Sequence, residues 1–181
     1  MYKTIETDEL TILSVERLQN PSLWQGYVCK RRTIVQRESS RNPEYNEGQV
    51  EKRWLFHGTD KDTVEKIYQM GFNRIFAGRN MTRYGKGSYF ARDAAYSLNY
   101  SRADAQGKRY MLLNRVAIGE CGQGEEDIPE PPKRPDARAG EHLLYDSTVD
   151  KLPMKRATIF VTYHDAQAYP EYLVTYKQIA S

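Results

Sequence analysis

Cysteine is almost absent from this chain: Cys29 and Cys121 are the only two, far apart and outside any Cys-x-x-Cys spacing. That excludes a disulfide framework and any metal or redox motif built on thiolates, so no metal is expected. Histidine is equally sparse, with His57, His142 and His164 making the full set. No run of 18 apolar residues occurs, which excludes a membrane-spanning helix, and Met1-Tyr2-Lys3-Thr4 does not open a signal peptide. The expectation is a soluble intracellular protein, cytoplasmic or nuclear, and monomeric. Charge of one sign is also lacking: a net +3 over 181 residues is too little to mark a dedicated nucleic-acid domain. Finally, neither dinucleotide fingerprint is present. Gly85-Lys86-Gly87 is not Gly-x-Gly-x-x-Gly or a Walker loop, and no strand-then-helix context surrounds it. A nucleotide bound here must be held in another way.

What the chain has in quantity is tyrosine, fourteen residues, enough to furnish core, sheet and the walls of a site. Its length suits one domain with a sizeable core. Thr11-Ile12-Leu13-Ser14-Val15 reads as a strand. Pro21 opens a helix with Leu23, Trp24, Tyr27 and Val28 at helical spacing, continuing through Ile34 and Val35. Glu38–Gly48 is polar and expected to be an exposed loop. Lys52–His57 is a strand, and Asp60–Met70 an amphipathic helix burying Val64, Ile67, Tyr68 and Phe72, with Gly71 as its stop.

Asn73–Thr82 has no clean period and is expected to be a loop over a cleft. Arg92–Arg102 reads as helix and Arg109–Ile118 as strand. Gly119–Gly140, with four prolines, is expected to be a long functional or mobile loop. Leu143–Asp146, Ala157–Tyr163 and Tyr172–Tyr176 read as further strands. Helices early and strands grouped late imply α+β with a split, mostly antiparallel sheet.

The chemistry concentrates in Trp54–Tyr100. An apolar run ends in His57-Gly58-Thr59, presenting one imidazole and bare glycine backbone at the end of a buried strand. Downstream, Tyr84-Gly85-Lys86-Gly87-Ser88-Tyr89-Phe90-Ala91 is a glycine-rich turn running into a strand, followed by Ser97 and Tyr100. Glycine backbone, one histidine and several tyrosines suit a flat, polar, aromatic ligand. Tyr84, Tyr96 and Tyr68 read as core or rim, His142 and His164 as surface, and Lys86 as either a phosphate contact or a solvated turn residue.

In order and spacing, His57-Gly58-Thr59, Gly71-Phe72, Tyr84–Ala91, Ser97 and Tyr100 resemble the NAD-binding signature of the poly(ADP-ribose) polymerase catalytic domain, and its mono-ADP-ribosylating branch more closely. The resemblance runs from about Trp54 to Tyr176. It implies a nucleotide lying across a split sheet, with NAD+ as co-substrate and substitution at the ribose carbon that carries nicotinamide, through an oxocarbenium-like transition state. By the same resemblance Gly58 and Ser97 grip the carboxamide, Tyr100 and Tyr89 pack on the two faces of the ring, His57 donates to the 2′-hydroxyl of the nicotinamide ribose, and Thr59 touches the adenosine half.

Polymerising members carry a glutamate seven residues before an Ala-Gln pair. Counting back from Ala166-Gln167 reaches Ile159, and Glu171 falls on the next strand, so the triad reads His57, Tyr89, Ile159. An isoleucine cannot accept a proton or hydrogen-bond a hydroxyl, so one ADP-ribose per acceptor is implied. The acceptor stays open between protein Glu/Asp, Cys or Lys side chains and phosphorylated RNA ends. A catalytically silent NAD/ADP-ribose-binding module is the alternative, against which stand His57, Gly58, Tyr89, Ser97 and Tyr100. The whole of 1–181 is expected to be one catalytic domain, without an upstream autoinhibitory helical domain.

Overall fold

A computed structural model describes residues 10–73 and 82–179. The frame is an eight-stranded sheet in the order β1-β8-β4-β2-β3-β7-β6-β5, antiparallel except where β5 runs parallel to β6. Its strands are β1 (Leu10–Arg17), β2 (Glu51–Thr59), β3 (Ser88–Ala91), β4 (Arg109–Ala117), β5 (Cys121–Gln123), β6 (Ser147–Val149), β7 (Ile159–Thr162) and β8 (Ala168–Gln178). Among the described residues four α-helices accompany them: α1 (Pro21–Ser39), α2 (Glu47–Val50), α3 (Lys61–Met70) and α4 (Ala94–Leu98). This is the expected α+β class.

The sheet is held strongly everywhere except at its middle. β2 and β4 share eight paired positions, whereas β2 and β3 meet only at Phe56 and Ala91. Two half-sheets, β1-β8-β4-β2 and β3-β7-β6-β5, therefore join at a single bridge and open into a split beyond it.

Each helix is fixed by its own sequence. Asn20 caps α1 by accepting from the Leu23 N–H, with Pro21 at the first helical position, where its missing donor costs nothing. Tyr27 and Ile34 of α1 pack with Tyr45, Val50, Ala117 and Tyr169 on one side of the sheet. Asp60 caps α3 through the Thr63 N–H at 2.8 Å, and Gly71, at φ 77°, ends it by donating to the Ile67 carbonyl. Val64 and Ile67 bury against Leu55, Phe72, Phe90, Leu112 and Phe160 in the largest core cluster.

Several expectations are corrected. Tyr68 is exposed, not inward, because it lies about 100° round the helix from Ile67. The polar stretch Glu38–Gly48 is not simply solvated: Glu38 and Tyr45 are buried, and α2 begins at Glu47. Helix 92–102 shrinks to the five residues of α4. Leu143–Asp146 forms no strand, only a bridge between Leu144 and Lys133, and the strand follows at Ser147–Val149.

The prolines of 119–140 do not free that segment. It contains β5, and Arg134 ties it to α1 through Glu38 at 2.7 Å while also holding Asp136. The loop expected at Asn73–Thr82 lies, for residues 74–81, outside the described residues. Among the described residues no helix is long and apolar enough to cross a membrane.

Candidate active site

The split is where the signature residues gather. A cleft of about 330 Å³ opens there, lined by His57, Gly58 and Thr59 from β2, Ser88 and Tyr89 from β3, and Tyr96, Ser97 and Tyr100 from α4 and its exit. Past Phe56 the edge of β2 has no ladder partner in β3, so one set of backbone N–H and C=O groups along His57–Thr59 faces the cleft.

Gly58 sits beneath α4 in a space with no room for a side chain. A Cβ there would stand 1.9 Å from the Ser97 carbonyl oxygen and 2.8 Å from Ser101 Oγ. Ser101 in turn donates to the Tyr110 carbonyl at 2.7 Å, fixing the end of this helical turn to β4. The approach of helix backbone to strand backbone thus depends on glycine and brings buried Ser97 next to it. That bare cradle fits a flat amide-bearing ring.

His57 packs edge-on against Phe72, with ring centroids 5.2 Å apart, and its Nδ1 lies 2.8 Å from the Tyr89 carbonyl oxygen. Since a carbonyl only accepts, Nδ1 carries the proton. Burial lowers the imidazole's pKa below its ordinary value, against the opposing pull of the Tyr89 carbonyl. His57 is therefore neutral near pH 7, with Nε2 a bare lone pair. In this state Nε2 offers an acceptor to a hydroxyl, where the resemblance implies a donor.

Tyr89 lines the cleft, while its hydroxyl is engaged within the protein. The phenol accepts from the Tyr84 N–H and donates to the Gly85 carbonyl, both at 2.9 Å, and burial pushes its pKa up to about 12. Tyr100 donates to the Tyr96 hydroxyl at 3.2 Å, with the two rings 5.5 Å apart. Thr59 is buried in the wall.

Ile159, the third position of the triad, does not line the cleft. It pairs with Ala91 across β7 and β3, is 2% exposed, and packs with Ala91, Val161 and Tyr163, against which Tyr89 and Tyr96 lie. Glu171 stands on the other half-sheet, in β8, within 4.0 Å of Arg17. Lys86 is an exposed turn residue paired with Asp127 at 3.7 Å, and His142 and His164 are at the surface.

Sequence reasoning did not single out Thr63, Lys66 and Met70 of α3 or Arg102 after α4, which form the outer part of the cleft. The signal was available for α3: positions 63, 66 and 70 make a helical stripe beside the buried one. Among the described residues no cluster of three or more His, Cys, Asp or Glu side chains could hold a metal ion.

A split antiparallel sheet whose gap holds His57, Gly58, Tyr89, Ser97 and Tyr100 defines the α+β fold of ADP-ribosyltransferases. Residues 1–178 match the poly(ADP-ribose) polymerase catalytic domain, and the chain belongs to that family. It is 39% identical over 169 residues to Protein mono-ADP-ribosyltransferase PARP14 of Homo sapiens, covering 92% of this chain and 9% of that protein. Over 182 residues it is 40% identical to Protein mono-ADP-ribosyltransferase PARP10 of Mus musculus, covering 98% and 18%. With Protein mono-ADP-ribosyltransferase PARP12 of Mus musculus it shares 38% over 166 residues, covering 91% and 21%. The chain thus spans about a tenth to a fifth of the length of these relatives.

Proposed function

We propose that this protein transfers a single ADP-ribose from NAD+ to an acceptor and releases nicotinamide. The observation that carries the reading is the bare Gly58 backbone under Ser97, flanked by the Tyr89 and Tyr100 rings, in the split of the sheet. Bound NAD+ supplies the glycosidic bond that breaks, and the protein's task is to hold the leaving group and the ribose in a reactive pose. Gly58 backbone and Ser97 orient the amide, the two tyrosines sandwich the ring, and a tyrosine face next to a cationic ring is worth about 0.5–2 kcal/mol. The neutral Nε2 of His57 accepts from a ribose hydroxyl, and Thr59 with Thr63 lines the side where the adenosine half would lie.

Single transfer rests on Ile159. A buried apolar side chain behind Ala91 offers no carboxylate to activate the hydroxyl of a growing chain. Three relatives of similar sequence are named mono-ADP-ribosyltransferases, in keeping with this reading. The acceptor belongs to the class of protein Glu/Asp, Cys or Lys side chains or phosphorylated RNA ends. The test is incubation with labelled NAD+ followed by mass spectrometry of the modified acceptor. One ADP-ribose per site is expected, and NAD+ binding without any transfer would make the protein a silent binding module.

A further inference from the structure

The Tyr89 ring reaches the cleft wall only because its hydroxyl is stapled into the turn at Tyr84–Gly87, and that turn is itself held from behind. Tyr84 uses both of its backbone polar groups. Its N–H donates to the Tyr89 hydroxyl, and its carbonyl faces Thr148 Oγ1 at 2.7 Å and the Tyr163 hydroxyl at 3.3 Å. Thr148 and Tyr163 are also 2.9 Å apart, and both are buried. A carbonyl can only accept, so Thr148 Oγ1 donates to it at 2.7 Å, and the Tyr163 hydroxyl shares its one proton between Thr148 Oγ1 at 2.9 Å and the more distant carbonyl.

The result is one directed chain: Tyr163 to Thr148, Thr148 to the Tyr84 carbonyl, then the Tyr84 N–H to Tyr89, and Tyr89 to the Gly85 carbonyl. Bonds in such a chain polarise one another in a dry interior, and every member is satisfied. Steric fit tightens it further. At Gly85, with φ 121°, a Cβ would stand 1.8 Å from the Tyr163 hydroxyl, and at Gly124 one would stand 2.6 Å from the Tyr84 carbonyl. The turn is also pinned to the 119–140 segment, where the Lys86 N–H donates to the Ile128 carbonyl and the Asp127 N–H to the Thr82 carbonyl.

We infer that Thr148 is a positioning residue for substrate binding: it touches nothing in the cleft, yet it sets the Tyr89 ring against the ligand through Tyr84. The inference rests on the proposed use of NAD+. Thr148→Val keeps the shape but removes the 2.7 Å donor to Tyr84 and the acceptor for Tyr163, leaving those two groups only their longer 3.3 Å contact with each other, whereas Thr148→Ser keeps the hydroxyl.

Steady-state transfer from NAD+ should show KM raised about tenfold in Thr148→Val with kcat within about twofold, and Thr148→Ser close to wild type on both. In a Tyr89→Phe background, Thr148→Val should add little further, because the relay is already cut. Wild-type constants in Thr148→Val, equal impairment in Thr148→Ser, or full additivity with Tyr89→Phe would each overturn the role of Thr148 alone. A wild-type protein that transfers nothing from NAD+ and shows no NAD+ binding in calorimetry would overturn the functional reading and this inference with it.

Discussion

The imidazole of His57 and the carbonyl of Tyr89 close the sheet where its backbone ladder stops. β2 and β3 share one bridge, Phe56 to Ala91, and from there the strands part. The contact of 2.8 Å from His57 Nδ1 to the Tyr89 oxygen spans the gap with a side chain in place of a peptide. It fixes the tautomer, the ring plane and the spacing of the half-sheets together, so a residue that lines the cleft also sets its width.

The first prediction follows from the charge state of that imidazole. Its folded pKa is lowered from 6.5 by burial, so the unfolded chain binds the proton more readily. The stability it contributes is present in full above pH about 6.5 and is lost as pH falls through the folded value. Glu51 does not confuse this window. Burial pushes its carboxyl up, but bonds from Arg115, Arg53 and Tyr27 outweigh that and hold it at about 2, so its contribution fades only below its ordinary 4.5. Wild-type Tm should fall between pH 6.5 and 5, and His57→Gln should be flatter over that interval. Parallel profiles would remove His57 as the titrating group.

A second prediction separates the two halves of the amide cradle. Gly58→Ala forces a methyl group into the Ser97 carbonyl, so α4 must shift, at a cost of about 1–3 kcal/mol or more. Ser97→Ala leaves the packing in place and removes only a hydroxyl. In urea titrations Gly58→Ala should lose stability while Ser97→Ala stays near wild type. Benzamide-type amides should raise the Tm of wild type by mass action and do so weakly in Ser97→Ala. An equal shift in Ser97→Ala would take the hydroxyl out of the cradle.

Much of this site was legible in the sequence because it is written locally. His57-Gly58-Thr59 and Gly85–Ala91 are contiguous turns and strand ends, and Ser97 and Tyr100 lie one helical turn apart in α4 and at its exit. The eightfold strand order and the single bridge at Phe56 were not legible, since they depend on pairings over long separations. The anchoring of 119–140 was also hidden. Its four prolines read as freedom, but the segment is tied down by contacts distant in sequence, among them Arg134 meeting a glutamate 96 positions earlier. Nor could spacing give the direction of the His57 hydrogen bond, which is set by a backbone oxygen in another strand.

That arginine gives the third prediction. Burial pushes the Glu38 carboxyl up, and bonds from Arg134 and Arg37 more than offset this, holding it below the usual range. Arg134→Met strands part of that buried charge and releases Asp136, which should cost about 3–5 kcal/mol. Arg134→Lys should recover only part of it, because an ammonium cannot fork to both carboxylates. Urea midpoints measure both. A wild-type midpoint in Arg134→Met would mean that the segment is held without this tie.

The last prediction concerns Ile159 and the number of ADP-ribose units transferred. With an isoleucine packed behind Ala91, products should carry one unit per site, seen as discrete mass increments without ladders on gels. Glu171→Gln should leave transfer largely intact, since Glu171 lies on β8 beside Arg17 and lines no part of the cleft. His57→Ala should reduce transfer by tens- to hundreds-fold, because the ribose loses an orienting partner and the half-sheets lose their clasp. Ile159→Glu should fail in a different way. Its carboxylate would sit among Ala91, Val161 and Tyr163, where burial of an unpaired charge drives protonation or unfolding. Lower stability and no long chains are therefore expected, even though the polymerase-type residue is restored. Product gels and intact-mass spectra of all four proteins decide the matter. Ladders from wild type that vanish in Glu171→Gln would assign the chain-extending carboxylate to β8 and make this protein a polymerase.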